Sequence, residues 1–408
     1  MTFFAEIIEG LRISWSAIRA NRMRSVLTTL GVIIGVLTVT MMATAINGLN
    51  SAFQTSISIM GADVVYVQRF PWFMDHSEWL LSRNRREITM EQVRGVERQL
   101  TTAKAIAPVA MTRRDLVYQR RNGGAVQIIG TSEKQVETGS LNMSQGRFFA
   151  AAEVEGARPV CVIGFDVATR MFPNESPIGR RLQVGDRALE VVGVVEKRGR
   201  FLGLFSLDEV VFLPVTFFFN AYEQKPDLRI DVKVGSLEGI EETREELIGI
   251  MRKLRKTPPG VPDDFAINQQ DAFVQNFNKV GGTIASLGLF VTGLSLFVGG
   301  IGIMNIMFVS VSERTKEIGI RRAIGAKRRT ILLQFLIEAV LLCIMGGIIA
   351  LLLSAPITLV VAIFLPAALS PSIILIALGV SIVTGVVSGF VPAYRASQMS
   401  PVDALRTE

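Results

Sequence analysis

VGGIGIMNIMFVSVSERTKEIGIRRAIGAKRRTILLQFLIEAVLL (298–342) changes character twice. An uncharged apolar run ends at Ser312. The stretch 312–329 then carries seven Lys/Arg against two Glu, and a second apolar run starts at Ile331. A membrane-spanning helix needs about 20 mostly apolar residues to cross roughly 30 Å of hydrocarbon. Both flanks meet that need: Val280–Ser312, which is uncharged throughout, and Ile331–Leu353, broken only by Glu338. The middle is too charged for lipid and too short for a domain. The stretch therefore reads as span, basic turn, span.

Two further runs of the same kind lie outward from it, Val26–Ile46 and Ile373–Val391. The first is longer than the apolar core of a signal peptide, about 7–15 residues, and follows a charged segment, so a retained anchor is expected. Orientation follows from the basic residues in short flanks. Arg12, Arg19, Arg22 and Arg24 precede the first span; the 312–329 turn is basic; Leu365–Ser372, between the third and fourth spans, has no Lys or Arg. These flanks agree on one topology: both termini and the basic turn in the cytoplasm, and the segment 51–279 outside. Before the first span, Phe4, Ile7, Leu11, Trp15 and Ile18 recur at steps of three and four, the pattern of an amphipathic helix lying in the interface.

Composition agrees with this segregation. The 408 residues are 49% apolar yet 19% charged, and mean hydropathy is +0.40. The net charge of +7 sits mostly beside the apolar runs: four Arg against two Glu over 1–24, and the excess in 312–329. The 51–279 segment is nearly balanced, thirty Lys/Arg against twenty-nine Asp/Glu, which argues against a nucleic-acid footprint. One histidine (His76) and two cysteines (Cys161 and Cys343) exclude His-pair zinc chemistry, cysteine-rich metal sites and a disulfide scaffold. His76, between Trp72 and Trp79, is expected in a mobile loop.

The outer segment alternates strand and helix signals. Asp63–Gln68 reads as a strand, Thr89 with Gln92 opens a helix reaching about Leu100 by a capping box, and Ala103–Val109 reads as a strand. At the far end the alternation of Leu228, Ile230, Val232 and Val234, the helix pattern of Glu238–Arg255 and the short run Phe265–Asn268 give a second β-α-β unit. Acids in the first turn of that helix and bases in its last suit the helix dipole. Between the units the signal is mostly strand: Leu116–Arg121 and Ala125–Thr131 around Asn122-Gly123-Gly124, a hairpin turn signal, then Pro159–Ile163, Leu182–Val184 and Leu189–Val195, with a helix over Asp166–Phe172. No charge occurs between Arg24 and Asp63, and Phe273, Phe277 and Val280 keep helical spacing, so helical stalks are expected at both ends. The fold class is an α-helical membrane protein with four transmembrane helices plus an extracytoplasmic α+β domain.

Motifs for chemistry are sparse. Gly319 to Gly325 followed by Ala326-Lys327 has the wrong spacing for a phosphate loop, and Gly299-Gly300-Ile301-Gly302 lacks the third glycine of a dinucleotide turn. No nucleophile–base set is visible. Small residues four apart, Gly31/Gly35 and Gly385/Gly389, suit close helix packing, within the chain or across a dimer. Asn305 can hydrogen-bond a neighbouring helix, and Glu338 is an intramembrane acid placed to pair with a basic residue of the turn. Within the turn, Ile318, Ile320, Ala323 and Ile324 supply an apolar side and Arg314, Lys316, Glu317, Arg321 and Arg322 a charged one, as in a short helix docking on a partner.

The stretch 298–342 resembles the MacB/FtsX-type ABC transporter permeases, as do NRMRSVLTTLGVIIGV (21–36), PAYRASQMSPVDALR (392–406), PNESPIGRRLQVGDRALEVVGVV (173–195) and Met60-Gly61-Ala62-Asp63. The likeness runs in order over nearly the whole chain. It implies a permease working as a homodimer, with ATP and Mg on a separate ABC ATPase subunit and no cofactor or metal on this chain; MacB itself carries its ATPase on the same chain. It implies that Glu313, Arg314, Thr315, Lys316, Glu317, Ile318, Gly319, Arg321, Arg322, Ala323, Gly325 and Ala326 form the coupling helix seated on that ATPase. The expected division is an interfacial helix at 1–24, spans at 25–48, 280–311, 330–354 and 372–392, the coupling helix at 312–329, a cytoplasmic tail at 393–408 and an outer domain at 49–279. That domain would be Porter-like over about 61–112 and 210–270 and Sabre-like, the β-rich insertion, over about 113–209. Export by mechanotransmission is the implied function, with a periplasmic adaptor and an outer-membrane channel as further partners in Gram-negative relatives and membrane lipid around the spans. An FtsX-like regulator that pulls on cell-wall hydrolases or a sensor is the competing class; an integral-membrane enzyme fits least.

Overall fold

The computed structural model describes residues 22–61, 63–202, 205–363 and 366–406, so nearly all of the amphipathic stretch expected over 1–24 lies outside the described residues. The chain divides into two units, 52–279 and 1–51 with 280–408. Helix α1 (Arg22–Met60) opens it. A charge-free sequence lets the helix run on, and Gly61, at φ +78, ends it in the left-handed region that glycine adopts without a Cβ penalty.

The 52–279 unit begins with β1 (Val64–Gln68), α2 (His76–Ser82), α3 (Met90–Gln99) and β2 (Ala103–Tyr118). The segment around His76 is a helix rather than the expected loop. Asp75 caps it: its carboxylate accepts from the Glu78 N–H at 2.7 Å while Glu78 accepts from the Asp75 N–H at 3.2 Å. The same reciprocal box, Thr89 with Gln92, opens α3 where the sequence placed it.

β3 (Arg121–Thr131) follows, and here the expected turn is displaced. The chain reverses at Gln119–Arg120, with Gln119 at φ +52, and Asn122-Gly123-Gly124 lies inside the strand. Pairing runs from Leu116–Gly124 to Val117–Asn122, which leaves Gly123 as an extra residue, a β-bulge. A Cβ at Gly123 would stand 2.9 Å from the Met171 sulfur, so the glycines admit a packed side chain rather than make a hairpin turn. The chain continues through α4 (Gln135–Thr138), β4 (Met143–Gly146), α5 (Ala151–Glu155), β5 (Val160–Ile163), α6 (Phe165–Met171), β6 (Arg181–Val184) and β7 (Arg187–Val195). Then come the small hairpin β8 (Arg200–Phe201) and β9 (Phe205–Ser206), β10 (Val210–Pro214), α7 (Val215–Ala221), β11 (Arg229–Val234), α8 (Ile240–Arg255) and β12 (Ala266–Asn268).

Ten of these strands form one sheet. The two β-α-β units interleave, in the order β12-β1-β11-β2 with antiparallel neighbours, the split β-α-β arrangement. Val93 and Val96 of α3 and Leu247 and Met251 of α8 are buried in the same core as Val65, Ile230 and Val232. From β2 the pairing continues β3-β10-β5-β7-β6 and returns to β2, closing a six-stranded barrel with β4 added on β7. Closure removes the exposed edges that an inserted open sheet would present. β2 serves both parts: residues 103–109 pair with β11 and 109–118 with β3. The expected boundary near 112/113 thus falls within one continuous strand.

An acid-sensitive contact ties the end of β4 to α5. Arg147 donates to both oxygens of Glu153, at 2.7 and 2.8 Å, and the Ala150 N–H donates to the same carboxylate at 2.8 Å. These bonds, Arg147 foremost, hold Glu153 at about 2 against an ordinary 4.5. A depressed folded-state pKa contributes stability above the unfolded value and loses it as pH falls through the folded one. The pair is therefore expected to lose its contribution between pH 4.5 and about 2. Thermal melts across that range should show a shallower acid slope for Glu153→Gln; an unchanged slope would mean that solvent already screens the pair.

The second unit contains α9 (Gln270–Glu313), α10 (Thr315–Ala323), α11 (Arg328–Val361), α12 (Pro371–Gln398) and α13 (Pro401–Arg406). Leu30–Ile57 of α1 and helices α9, α11 and α12 are long and apolar enough to cross a membrane. Their outward faces carry large apolar side chains such as Leu289, Phe290, Leu352, Leu359 and Leu375. Their inward faces are small, as expected where packing rather than hydrophobic burial joins helices in lipid. A Cβ at Gly31 would stand 2.9 Å from the Gly299 Cα, and one at Gly35 2.9 Å from Leu296. On α12, Gly385 and Gly389 would meet Val340 at 2.7 Å and Ala339 at 2.4 Å. Both glycine pairs are thus filled within the chain. Buried Thr40, Thr358 and Ser381 return their hydroxyls to backbone carbonyls four residues earlier.

Candidate functional site

The basic turn is an ordered elbow. α9 ends at Glu313, and Arg314, at φ −105 and ψ 19, breaks it before α10 begins at once. The Thr315 hydroxyl donates back to the Val311 and Ser312 carbonyls, at 3.2 and 2.9 Å, bridging the break. At the other end Gly325, at φ +104, reverses the chain; its N–H donates to the Arg322 carbonyl and that of Ala326 to the Arg321 carbonyl, satisfying the orphan carbonyls of the helix end. A nine-residue helix has little stability of its own, so these end contacts and tertiary anchors fix it.

Three side-chain anchors hold it. Ile318, 3% exposed, belongs to a buried cluster with Ile331 and Phe335 of α11 and Ala393 and Ala396 of α12. Arg314 donates to Glu338 at 3.2 Å, joining the break to α11. Arg321 donates to Gln334 at 2.6 Å, one helical turn from Glu338. The tail adds α13, whose Ala404 is buried, and Arg328 donates to Gln398 at 2.6 Å. Beside α10, Thr315, Tyr394, Arg395, Gln398 and Met399 line an open cleft of about 570 Å³, and the Arg395 guanidinium lies 5.2 Å from the centroid of the Phe308 ring.

The twelve residues taken from the sequence for this segment therefore divide. Ile318 and Gly319 are buried; Arg314, Thr315, Arg321, Arg322 and Ala326 are half-buried; Glu313, Lys316, Glu317, Ala323 and Gly325 are exposed. Beyond the break, Lys316, Glu317 and Ala323 recur at steps of three and four with Ile320 and Ile324, also exposed, and make one stripe along α10. Asn305 is exposed on α9, away from this elbow. Gln334, Arg395 and Gln398 were missed; the signal for Gln334 was its four-residue spacing from Glu338 on one helix face. Among the described residues no group of three His, Cys, Asp or Glu is placed to hold a metal, and both cysteines are buried.

Comparisons with known proteins bear on both units. The family model described as MacB-like periplasmic core domain matches residues 25–250, and that described as FtsX-like permease C-terminal matches 289–401. The macrolide export ATP-binding/permease protein MacB of Bdellovibrio bacteriovorus is 31% identical over 411 residues, covering 99% of this chain and 62% of that protein. That of Neisseria gonorrhoeae is 32% identical over 406 residues, covering 99% and 61%. The chain thus spans about three fifths of the length of these relatives. The crystal structure of the periplasmic region of MacB from Actinobacillus actinomycetemcomitans is similar at a TM-score of 0.46 and 17% identity, covering 54% of this chain and 95% of that one. On the two family matches, which take in both the outer unit and the elbow, the chain belongs to the MacB/FtsX-type family of ABC transporter permeases.

Proposed function

We propose that the chain is the permease part of a MacB-like ABC transporter, in which ATP hydrolysis by an ABC ATPase drives export through movements of the outer domain. The single observation that carries this reading is the two-sided α10: an inner side locked to α11 and α12, and an outer stripe with two exposed isoleucines and no partner within the chain among the described residues for Lys316 and Glu317. A helix held that way transmits a push from whatever seats on its outer side. Closure of the ATPase would tilt α10 and, through the Arg314 break, shift α9 along its length; α1, packed on α9 by Gly31 and Gly299, would follow. In this reading both termini and α10 face the cytoplasm, as the basic flanks require, and residues 52–279 lie outside the cytoplasmic membrane. The open sheet with α3 and α8 is the Porter-like part and the barrel the Sabre-like part. A second copy completes the transporter, and Asn305, exposed between Ile301 and Val309 on an apolar helix, is the polar group such a copy would meet. A periplasmic adaptor and an outer-membrane channel would extend the path.

The test is co-expression with a candidate ABC ATPase. The pair should co-purify, and ATP turnover by the ATPase should change on reconstitution with the permease. A chain that binds no ATPase of this class ends the proposal. Reconstituted ATP turnover that drives no export, but activates a cell-wall hydrolase or a sensor, selects the FtsX-like regulatory role.

A further inference from the structure

β2 changes partners along its length, and the change leaves a gap. On one side it pairs with β11 up to Val109, opposite Arg229, and with β6 from Leu116, opposite Val184. The Gly185 N–H donates to the Asp115 carbonyl at 2.8 Å, so the main chain of Asp115 faces that side. In antiparallel pairing this direction alternates residue by residue, so Met111 and Arg113 face it too. Neither β11 nor β6 reaches them there. The Arg113 carbonyl takes the guanidinium of its neighbour Arg114 at 2.8 Å, while the N–H and carbonyl of Met111 have no partner on that side among the described residues.

A cavity of about 250 Å³ opens beside Met111, smaller than the roughly 300–1,000 Å³ pockets that enclose drug-sized ligands. Phe70, Pro71 and Leu228 give it apolar walls, and Arg69 and Asp227 line it with opposite charges. Arg69 donates through Nη2 to the Arg83 carbonyl at 3.1 Å, and its Nε is buried without a partner. One oxygen of Asp227 accepts from the Ile88 N–H at 3.1 Å. A third charge, Arg229, is spent on Asp231, to which it donates at 2.5 and 2.8 Å. Arg69 and Asp227 form no ion pair, with each other or with a third group, among the described residues. They are nonetheless within electrostatic reach. Burial raises the Asp227 carboxyl above its ordinary value, and the Ile88 N–H and the charge of Arg69 pull it back. The walls are fixed in advance: Asn268 accepts from the Trp72 N–H and donates to the Phe70 carbonyl, both at 3.0 Å, and Arg85 donates to the Arg69 carbonyl at 2.9 Å. Such preorganisation spares a ligand the cost of ordering its site.

The complementary chemistry is narrow. A lone anion drawn to Arg69 would meet Asp227, and a lone cation drawn to Asp227 would meet Arg69. A small ligand with both signs on neighbouring atoms satisfies both. We infer that the cavity binds the zwitterion of an apolar α-amino acid, its carboxylate on Arg69 and the Met111 N–H, its ammonium on Asp227 and the Met111 carbonyl, and its side chain against Phe70, Pro71 and Leu228. This binding does not depend on whether an ATPase engages α10.

Calorimetric titration of the full-length chain tests it, in nanodiscs of phosphatidylglycerol, a lipid with no ammonium group, against empty nanodiscs. Leucine is expected to bind. Its analogues 4-methylpentanoate, which lacks the ammonium, and 3-methylbutylamine, which lacks the carboxylate, should bind at least about tenfold more weakly, because each forfeits a charge-assisted contact. Asp227→Asn keeps an oxygen for the Ile88 N–H and removes the charge. It should hold leucine no better than 4-methylpentanoate and still reject the amine. Arg69→Gln should do the reverse, and Arg69→Lys should restore the preference for a carboxylate. No binding of leucine, methionine or phenylalanine up to about 10 mM would overturn the inference. So would analogues that bind as tightly as leucine, or variants that weaken all three ligands alike, which would make the two side chains supports of the wall.

Discussion

Arg314→Leu is expected to cost the helical unit about 3–5 kcal/mol, the usual penalty for stranding one member of a buried ion pair. Glu338 is the stranded member. Its side chain is 5% exposed, and Arg314 is the charged donor the structure gives it among the described residues. The reciprocal change should cost less. Arg314 is 18% exposed and sits at the helix break, where a long side chain can turn its guanidinium toward water while its stem stays in the apolar region. Glu338→Leu therefore removes a buried charge and leaves behind a charge with somewhere to go. The double variant, Arg314→Leu with Glu338→Leu, should recover most of the stability, since a matched apolar pair in such a site is often neutral or better. Melting midpoints of all four proteins in one lipid nanodisc close the cycle and isolate the pairwise coupling. Simple additivity of the two losses would show that the pair does not act as a unit, and equal losses would contradict the difference in burial.

That pair illustrates how much of the site could be read from the residues. An acid inside an apolar run demands a partner, and the nearest bases lie in the adjoining turn; composition alone says that much. Which base is a matter of geometry. Arg314 breaks α9 with its guanidinium facing α11, whereas Arg321, equally basic, reaches Gln334 one turn away. The spans were legible because hydrocarbon thickness sets a length, and the capping box at Thr89 because its chemistry is local. Asn122-Gly123-Gly124 misled because the same dipeptides that favour a two-residue turn also allow a bulge, and the choice was made by Met171, nearly fifty residues away, packing where a Cβ would stand. Barrel closure is non-local in the same way. Nothing in Leu116-Val117 or in Gln183-Val184 announces that these strands pair with each other, yet that contact turns a β-rich stretch into a closed circuit. Gly31 and Gly385 were recognisable as close-packing positions; that their partners are Gly299 and Val340 of the same chain needed the three-dimensional arrangement.

Ile320→Ser with Ile324→Ser is expected to weaken engagement of the proposed ATPase partner strongly while leaving the permease folded. The two side chains are 49% and 82% exposed, so their loss removes little native packing, and surface changes of this kind stay within about 0.5 kcal/mol. Fully burying an exposed isoleucine contributes about 1.5–3 kcal/mol; Ile320 is already half covered, so the two together are worth about 2–4 kcal/mol and losing both should weaken binding by roughly thirtyfold to several hundredfold. Titration of ATPase onto nanodisc-held permease measures it. Glu313→Ala with Arg321→Ala should behave differently, because Arg321 faces inward to Gln334 and acts on how firmly the elbow is held. That variant is expected to bind the ATPase at near-normal strength and to transmit its motion poorly, lowering export per ATP. The contrast is what tests a lever as opposed to an attachment point: the outer stripe sets affinity, the inner anchors set coupling. If the isoleucine variant bound normally and the arginine variant did not, the docking surface would be the charged side of the elbow, and α10 would have to be turned the other way in the assembled transporter.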